Sequence, residues 1–293
     1  MRIRIPATSA NLGPGFDSLG LAISLYNYVT IVPYTCQSIS IKGEGSSNRR
    51  LKVNNIFVSI FKDIYQELDG ESKYFRFEFE NNIPFSRGLG SSSAVIVGAI
   101  ASAYEMANIK ISKEIILNRA LVYENHPDNI APAVYGGFTT SIVAEDSVKT
   151  LKKEIPKDIK AVMVIPDRPM STAHSRTQLP KSYHMKDVTF NSSRVGFMSA
   201  AFFSEKWELL KYAGWDRIHE NRRMKKMKEL FNVRKIALKN GALMSTLSGS
   251  GSSFFSLVHE QDAEKLKNIL GKSFPNFRVE VYDFDNIGFK VEK

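Results

Sequence analysis

The order of segments along this 293-residue chain predicts an α+β fold in two parts. One observation is the stretch Tyr74-Phe75-Arg76-Phe77-Glu78-Phe79-Glu80. It alternates aromatic and charged residues with the period of a half-buried strand, then runs through a Gly/Ser loop into a long apolar helix. A second is the Lys-rich interval from Val148 to Asp158, which contains Pro156 and precedes a fresh strand pattern at Ile159 to Ile165. A third is the mixed order of helices and strands beyond that point, which suggests α+β. Two domains are expected, residues 1–155 and 156–293.

Each element follows from local pattern. Met1 to Pro6 alternates in polarity like a strand. The helix from Ser93 to about Met106 carries Ala, Gly, Val and Ile on nearly every face, so it belongs beneath a sheet. A helix from Ser112 to Glu124 begins at a serine suited to capping its free N–H groups. In the second half, helices are expected near Ser192 to Tyr212 and Asn221 to Lys239, the latter stopped by Asn240-Gly241. Strands near Phe254 to Val258 and Arg278 to Tyr282 flank a helix at Asp262 to Leu270. There are no repeats and no low-complexity tracts.

Composition excludes several classes. Hydrophobic residues at 43% and charged residues at 24% describe a soluble globular protein, and no apolar run approaches the roughly 20 residues that cross a bilayer. The N-terminus lacks the apolar core and cleavage site of a signal peptide, so a cytoplasmic protein without membrane partners is expected. The single cysteine, Cys36, allows no internal disulfide or cysteine metal cluster and reads as a small strand residue. A net charge of +10 invites a nucleic-acid reading, but the basic residues are spread along the chain. The densest cluster, Arg217 to Lys228, shares a helix with Met224, Met227 and Phe231 at core spacing, which makes it a solvated helix face. No nucleic-acid partner is expected, and the positive field would equally attract an anionic small molecule.

The most informative segment is Pro84-Phe85-Ser86-Arg87-Gly88-Leu89-Gly90-Ser91-Ser92-Ser93. Glycines let backbone N–H groups turn toward an anion, and the following helix N-terminus adds about half a positive charge there. It is neither the G-x-x-x-x-G-K-[ST] loop nor the G-x-G-x-x-G of dinucleotide folds. Alone, it reads equally well as a flexible turn before a helix. It is not alone, however. Asn11-Leu12-Gly13-Pro14-Gly15-Phe16-Asp17 and Leu247-Ser248-Gly249-Ser250-Gly251-Ser252-Ser253 are similar segments, and Glu124-Asn125-His126-Pro127-Asp128-Asn129 packs four potential ligand or catalytic residues into six positions.

In order, spacing and wording these segments resemble the signature motifs of the GHMP kinase superfamily, small-molecule kinases that move the γ-phosphoryl of ATP to a substrate. Residues 11–17, 126–132 and Ser171-Thr172-Ala173-His174-Ser175-Arg176 are similar to its homoserine kinase branch, and the resemblance covers essentially the whole chain. It implies an N-terminal domain like the second domain of ribosomal protein S5, with an uncommon left-handed crossover. It also implies a ferredoxin-like C-terminal domain, a site between the two, and ATP, Mg²⁺ and L-homoserine as ligands. A homodimer is expected, since the family tends to form one.

The roles implied are these. Pro84 and Ser86 to Ser93 would wrap the ATP phosphates, with Asn55 a contact to adenine. Ser92 and Glu124 would hold magnesium, which prefers hard oxygen ligands. Arg176 and Arg223 would clamp the substrate carboxylate, with Arg222 as an alternative to Arg223, because the family usually has Pro-Tyr where this chain has Asn221-Arg222. Asp128 and Asp17 would meet the ammonium. Asn11, Asn129, His126 and Thr172 complete the substrate side, and Ser248, Gly249, Ser250 and Gly251 back the phosphate loop. The aspartate that acts as base in sister kinases is replaced by Asn129. Catalysis without a dedicated side-chain base is therefore expected, with Asp128 or His126 as rival bases.

Overall fold

The computed structural model describes residues 1–69 and 74–292. Its first sheet has seven strands: β1 (Arg2–Ala10), β2 (Leu19–Tyr34), β3 (Ser38–Gly43), β4 (Tyr74–Asn81), β5 (Phe138–Ala144), β6 (Ser147–Lys153) and the closing strand β11 (Lys290–Glu292). The order β11-β1-β2-β4-β3 is antiparallel except at β3–β4, which run parallel and are joined through the short α1 (Arg50–Val53) and α2 (Ile56–Asp69). The hairpin β5–β6 attaches where Leu19–Leu21 of β2 pair with β5. The Lys-rich interval thus supplies β6, residues 154–158 lead into the second sheet, and residues 283–289 return from it to β11.

The aromatic alternation of β4 has a direct consequence. Phe75, Phe77 and Phe79 are buried, and Phe61 of α2 meets both Phe75 and Phe77 edge-to-face with ring centroids 5.2 Å apart. Helix α3 (Ser91–Met106) lies in this layer with Ser93, Ala94, Ile96 to Tyr104 buried, which is why its sequence is apolar on every face. Helices α4 (Lys113–Ala120) and α5 (Pro127–Tyr135) pack beside it. Ser112 caps α4 by accepting from the Ile115 N–H, as its sequence suggests. The helix ends at Ala120, four residues short of expectation, and the chain turns to bring Glu124 back toward α3.

The second sheet has the order β10-β7-β9-β8, all antiparallel, from β7 (Ile159–Pro166), β8 (Met244–Leu247), β9 (Phe254–His259) and β10 (Phe277–Tyr282). With helices between β7 and β8 and α11 (Glu260–Ser273) between β9 and β10, this is the ferredoxin-like arrangement. The helices preceding β8 are α6 (Thr172–Thr177), α7 (Met185–Phe203), α8 (Leu210–Ala213), α9 (Glu220–Met224) and α10 (Glu229–Lys239).

Two expected helices are corrected. The one placed at 192–212 starts at Met185 and stops at Phe203, because Glu205 takes a left-handed conformation and the Lys206 N–H bonds back to Ala201. The one placed at 221–239 is split after Met224, where the Met227 N–H closes a turn on Met224. Cys36, expected in a strand, lies in an exposed bend between β2 and β3, beyond the point where β2 still pairs. No helix among the described residues is long and apolar enough to cross a membrane.

Candidate active site

A cavity of about 410 Å³ is lined by residues from both sheets' connections. The phosphate-type loop forms one wall. Gly88 and Gly90 adopt positive φ of 73° and 66°, and each is held against a neighbour that a side chain would strike. A Cβ on Gly88 would lie 2.0 Å from the Ser248 carbonyl oxygen, and one on Gly90 1.9 Å from Thr8 Oγ1. Gly90 precedes α3 with no side-chain cap, so the first-turn N–H groups of Ser91, Ser92 and Ser93 have no intrahelical acceptor.

The turn after β8 supports this loop from behind. Ser248 Oγ lies 2.6 Å from the Gly88 carbonyl oxygen and 2.9 Å from Ser9 Oγ, the Ser253 N–H donates to the Arg87 carbonyl, and the Gly249 N–H donates to the Ala10 carbonyl. Gly251 continues the turn, its N–H donating to the Ser248 carbonyl, and Ser250 lines the cavity. Arg87 spends its guanidinium on the carbonyls of Pro166 and Phe85 and on Asp167, so its side chain ties the loop to the second sheet. Pro84 and Ser86 line the cavity too, as does Asn55, whose side chain is engaged at the start of α2 with Leu51 and Val58.

Deeper in, three carboxylates converge on the cavity: Asp17, Glu124 and Asp128. Ser93 Oγ donates to Glu124 at 2.7 Å, and burial raises the Glu124 pKa against that bond. Among the described residues no cation pairs with Glu124. A half-buried carboxylate that lacks one fits a hard divalent ion, and Ser92 lines the same cavity. Asp128, in the first turn of α5, is pushed up to about 7 by burial and by the charges of Asp17 and Glu124. Its Oδ1 accepts from the Asn129 N–H at 3.0 Å. Asn129 in turn accepts from Thr8 Oγ1 at 2.7 Å.

The opposite end is cationic. Arg176 forms a two-pronged pair with Asp17 at 2.8 and 3.0 Å, the fork geometry by which guanidinium reads a carboxylate. His126 stands 3.5 Å from the same carboxylate, and burial lowers its pKa against the pull of Asp17. Asn11 is anchored at both ends: Oδ1 accepts from the Asp17 N–H and Nδ2 donates to the Gly249 carbonyl, so it fixes the loop that carries Asp17. Arg223 is buried and lines the cavity, whereas Arg222 is exposed and does not. Both arginines stand over the Phe16 ring, the Arg176 guanidinium 5.1 Å and that of Arg223 5.3 Å from its centroid. The side chain of Thr172 lies outside the described residues.

Two parts of the site escape sequence reasoning. One is the apolar end of the cavity, formed by Ile41, Leu51, Phe57, Phe79, Phe85 and Val95. Alternation marks Phe79 as inward-facing but not as bordering a cavity. The other is the buried cluster Asp216, His219 and Glu220 behind Arg223, where two acids and a histidine within five positions are the available signal.

A glycine-lined helix N-terminus facing a carboxylate and arginine cluster defines a small-molecule phosphotransferase, and the comparisons agree. The chain matches the GHMP kinases N terminal domain over residues 55–137 and the GHMP kinases C terminal domain over residues 201–276. It is 58% identical to a homoserine kinase of Aliarcobacter butzleri over 100% of both chains, and 57% identical to one of Campylobacter concisus over 99% of both. The crystal structure of a homoserine kinase from Cytophaga hutchinsonii superposes with a TM-score of 0.88 at 27% identity, covering 100% of this chain and 97% of the other. The chain therefore belongs to the GHMP kinases. Within them its family is that of the homoserine kinases.

Proposed function

We propose that this chain transfers the γ-phosphoryl group of ATP to the side-chain hydroxyl of L-homoserine. The product is O-phospho-L-homoserine, for threonine biosynthesis in the cytoplasm. The observation that carries this reading is the single cavity that sets an uncapped, glycine-lined helix N-terminus opposite Arg176, Arg223 and Asp128. A polyphosphate donor suits the first end and a zwitterionic amino acid the second.

The residues divide the work as follows. Gly88 to Ser93 receive the phosphates through backbone N–H groups and the α3 N-terminus. The apolar end accepts the base, with Asn55 at its edge. Glu124 and Ser92 would hold a magnesium ion, which when bound neutralises charge on the phosphoryl oxygens. Arg176 and Arg223 take the carboxylate. Arg176 already holds the Asp17 carboxylate, so the substrate replaces one carboxylate by another in the same fork, and Asp17 is released to meet the ammonium beside Asp128. Asn129, its oxygen held by Thr8, orients the acceptor side but has no basicity to offer. Phosphoryl transfer through a loose transition state asks mainly for in-line positioning, and the hydroxyl proton leaves late without a dedicated base.

The reading is tested by ADP release with ATP, Mg²⁺ and a panel of L-homoserine, L-serine, mevalonate and shikimate. Turnover with homoserine, with kcat/KM falling at least 100-fold in Arg176→Ala, is the expected result. Turnover instead with mevalonate or shikimate, which carry a carboxylate but no ammonium, would discard the ammonium site at Asp17 and Asp128 and keep the phosphate site.

A further inference from the structure

His219 stands behind the cavity wall, fully buried, one helical turn before Arg223. Both ring nitrogens are engaged. Nε2 lies 2.8 Å from the Gly13 carbonyl oxygen and Nδ1 lies 3.2 Å from Arg223 Nη1. A guanidinium only donates, so Nδ1 must accept and the ring hydrogen sits on Nε2, donating to Gly13. The two neighbours thus select one neutral tautomer. Burial pushes the ring's pKa down to about 4 against the opposing charge of Asp216, in keeping with that neutral form. The backbone is anchored as well: Asp216 Oδ2 accepts from the N–H groups of His219 and Glu220 at 2.7 and 2.8 Å, and Asp216 Oδ1 accepts from Asn191 at 2.7 Å.

The consequence appears in Arg223. Among the described residues its hydrogen bonds all leave from Nη1, one to His219 Nδ1 and one to the Gly249 carbonyl at 3.0 Å. Nε is buried without a partner, on a side chain only 3% exposed that borders the cavity. A buried charged donor left unpaired is costly, and it marks a place where an acceptor belongs. We propose that His219 is a positioning residue for the substrate carboxylate. By occupying Nη1 it fixes the rotation of the Arg223 guanidinium, so that the Nε edge is kept for the incoming carboxylate. The proposal rests on the homoserine reading above and adds to it a residue that never touches substrate.

The test separates positioning from mere packing by comparing KM for homoserine with KM for ATP. Glutamine can return a donor toward Gly13 but no acceptor toward Arg223, whereas the asparagine oxygen falls near the place of Nδ1. His219→Gln should raise the homoserine KM about 10- to 100-fold with the ATP KM changed less than twofold, and His219→Asn should recover most of that loss. In an Arg223→Ala background, His219→Gln should add no further change. Equal shifts in both KM values, or full additivity with Arg223→Ala, would overturn the proposal. Nitrogen NMR of the native protein needs no variant: a His219 ring protonated at Nδ1 near pH 7 overturns it, and one protonated only at Nε2 supports it. Native protein that does not turn over homoserine would remove the substrate reading and this proposal together. Native turnover with failure of the variant pattern would remove the positioning role alone.

Discussion

Asp128 carries the pH dependence of this site. Burial and the charges of Asp17 and Glu124 push its pKa up to about 7, so both protonation forms are populated near neutral pH in the empty site. If Asp128 meets the substrate ammonium as proposed, only its ionised form attracts that group, and kcat/KM for homoserine should rise as pH increases through about 7 in the free enzyme. The same rise would follow if Asp128 were the base, and kcat decides between the two. A bound ammonium keeps Asp128 ionised, so an ammonium partner leaves kcat flat above pH 6, whereas a base would make kcat titrate as well. Stability moves the other way. Because the folded pKa lies above the unfolded value of 3.8, the folded state binds the proton more tightly, and stability is lost as pH rises from about 4 to 7. A shift of that size corresponds to a penalty of up to about 4 kcal/mol. Asp128→Asn should therefore raise Tm in melts at pH 8 while leaving the melt at pH 4 nearly unchanged. A lowered Tm at pH 8 would mean that the carboxylate is better solvated than its burial suggests.

At the scale of elements, the loop before α3 and the aromatic layer beneath it make different demands. Gly88→Ala introduces a methyl group 2.0 Å from a backbone oxygen at a positive φ, and that oxygen belongs to the supporting turn after β8. The loop must shift off its support, so the ATP KM should rise at least tenfold and the homoserine KM much less. A stability loss of about 1–3 kcal/mol should accompany it. Phe61→Ala acts on the layer instead. It removes an enclosed ring that meets Phe75 and Phe77, with an expected cost of about 3–5 kcal/mol in denaturant unfolding and little effect on KM for either substrate. Elements were legible where pattern and packing coincide, as in β4 and α3. They were not where a turn interrupts a continuing apolar pattern: Met224 and Met227 keep core spacing across the break after α9, because both remain buried although the backbone has turned.

Across the whole molecule, the two sheets share one hydrophobic core and are further tied together at the loop before α3. Ser248, Gly249 and Ser253 of the second half bond to Ser9, Ala10, Arg87 and Gly88 of the first, so the cavity exists only when both halves are assembled. Net charge acts at the same scale. A chain of +10 should draw a polyanionic nucleotide by long-range attraction, so kcat/KM for ATP should fall severalfold between about 20 and 200 mM salt while kcat stays constant. Stopped-flow association measured against ionic strength checks this. A duplex bound tightly with a steep salt slope would instead revive the nucleic-acid reading.

The sequence by itself determined the class of fold, the Gly/Ser loop that opens α3 and the family. These are written in local chemistry: glycines before an apolar helix, alternation along a strand, acids and amides within a few positions. It also named most of the polar residues that line the cavity, from Asn11 to Arg223, but not the apolar residues at its other end. Tertiary structure alone decided which partners those residues have. It paired Arg176 with Asp17, set Ser93 rather than Ser92 on Glu124, turned Arg87 away onto backbone carbonyls, and chose Arg223 over Arg222 for the cavity. Such choices depend on groups separated by up to 159 positions meeting in a low-dielectric interior, where burial and neighbouring charge, not residue type, fix ionisation and orientation.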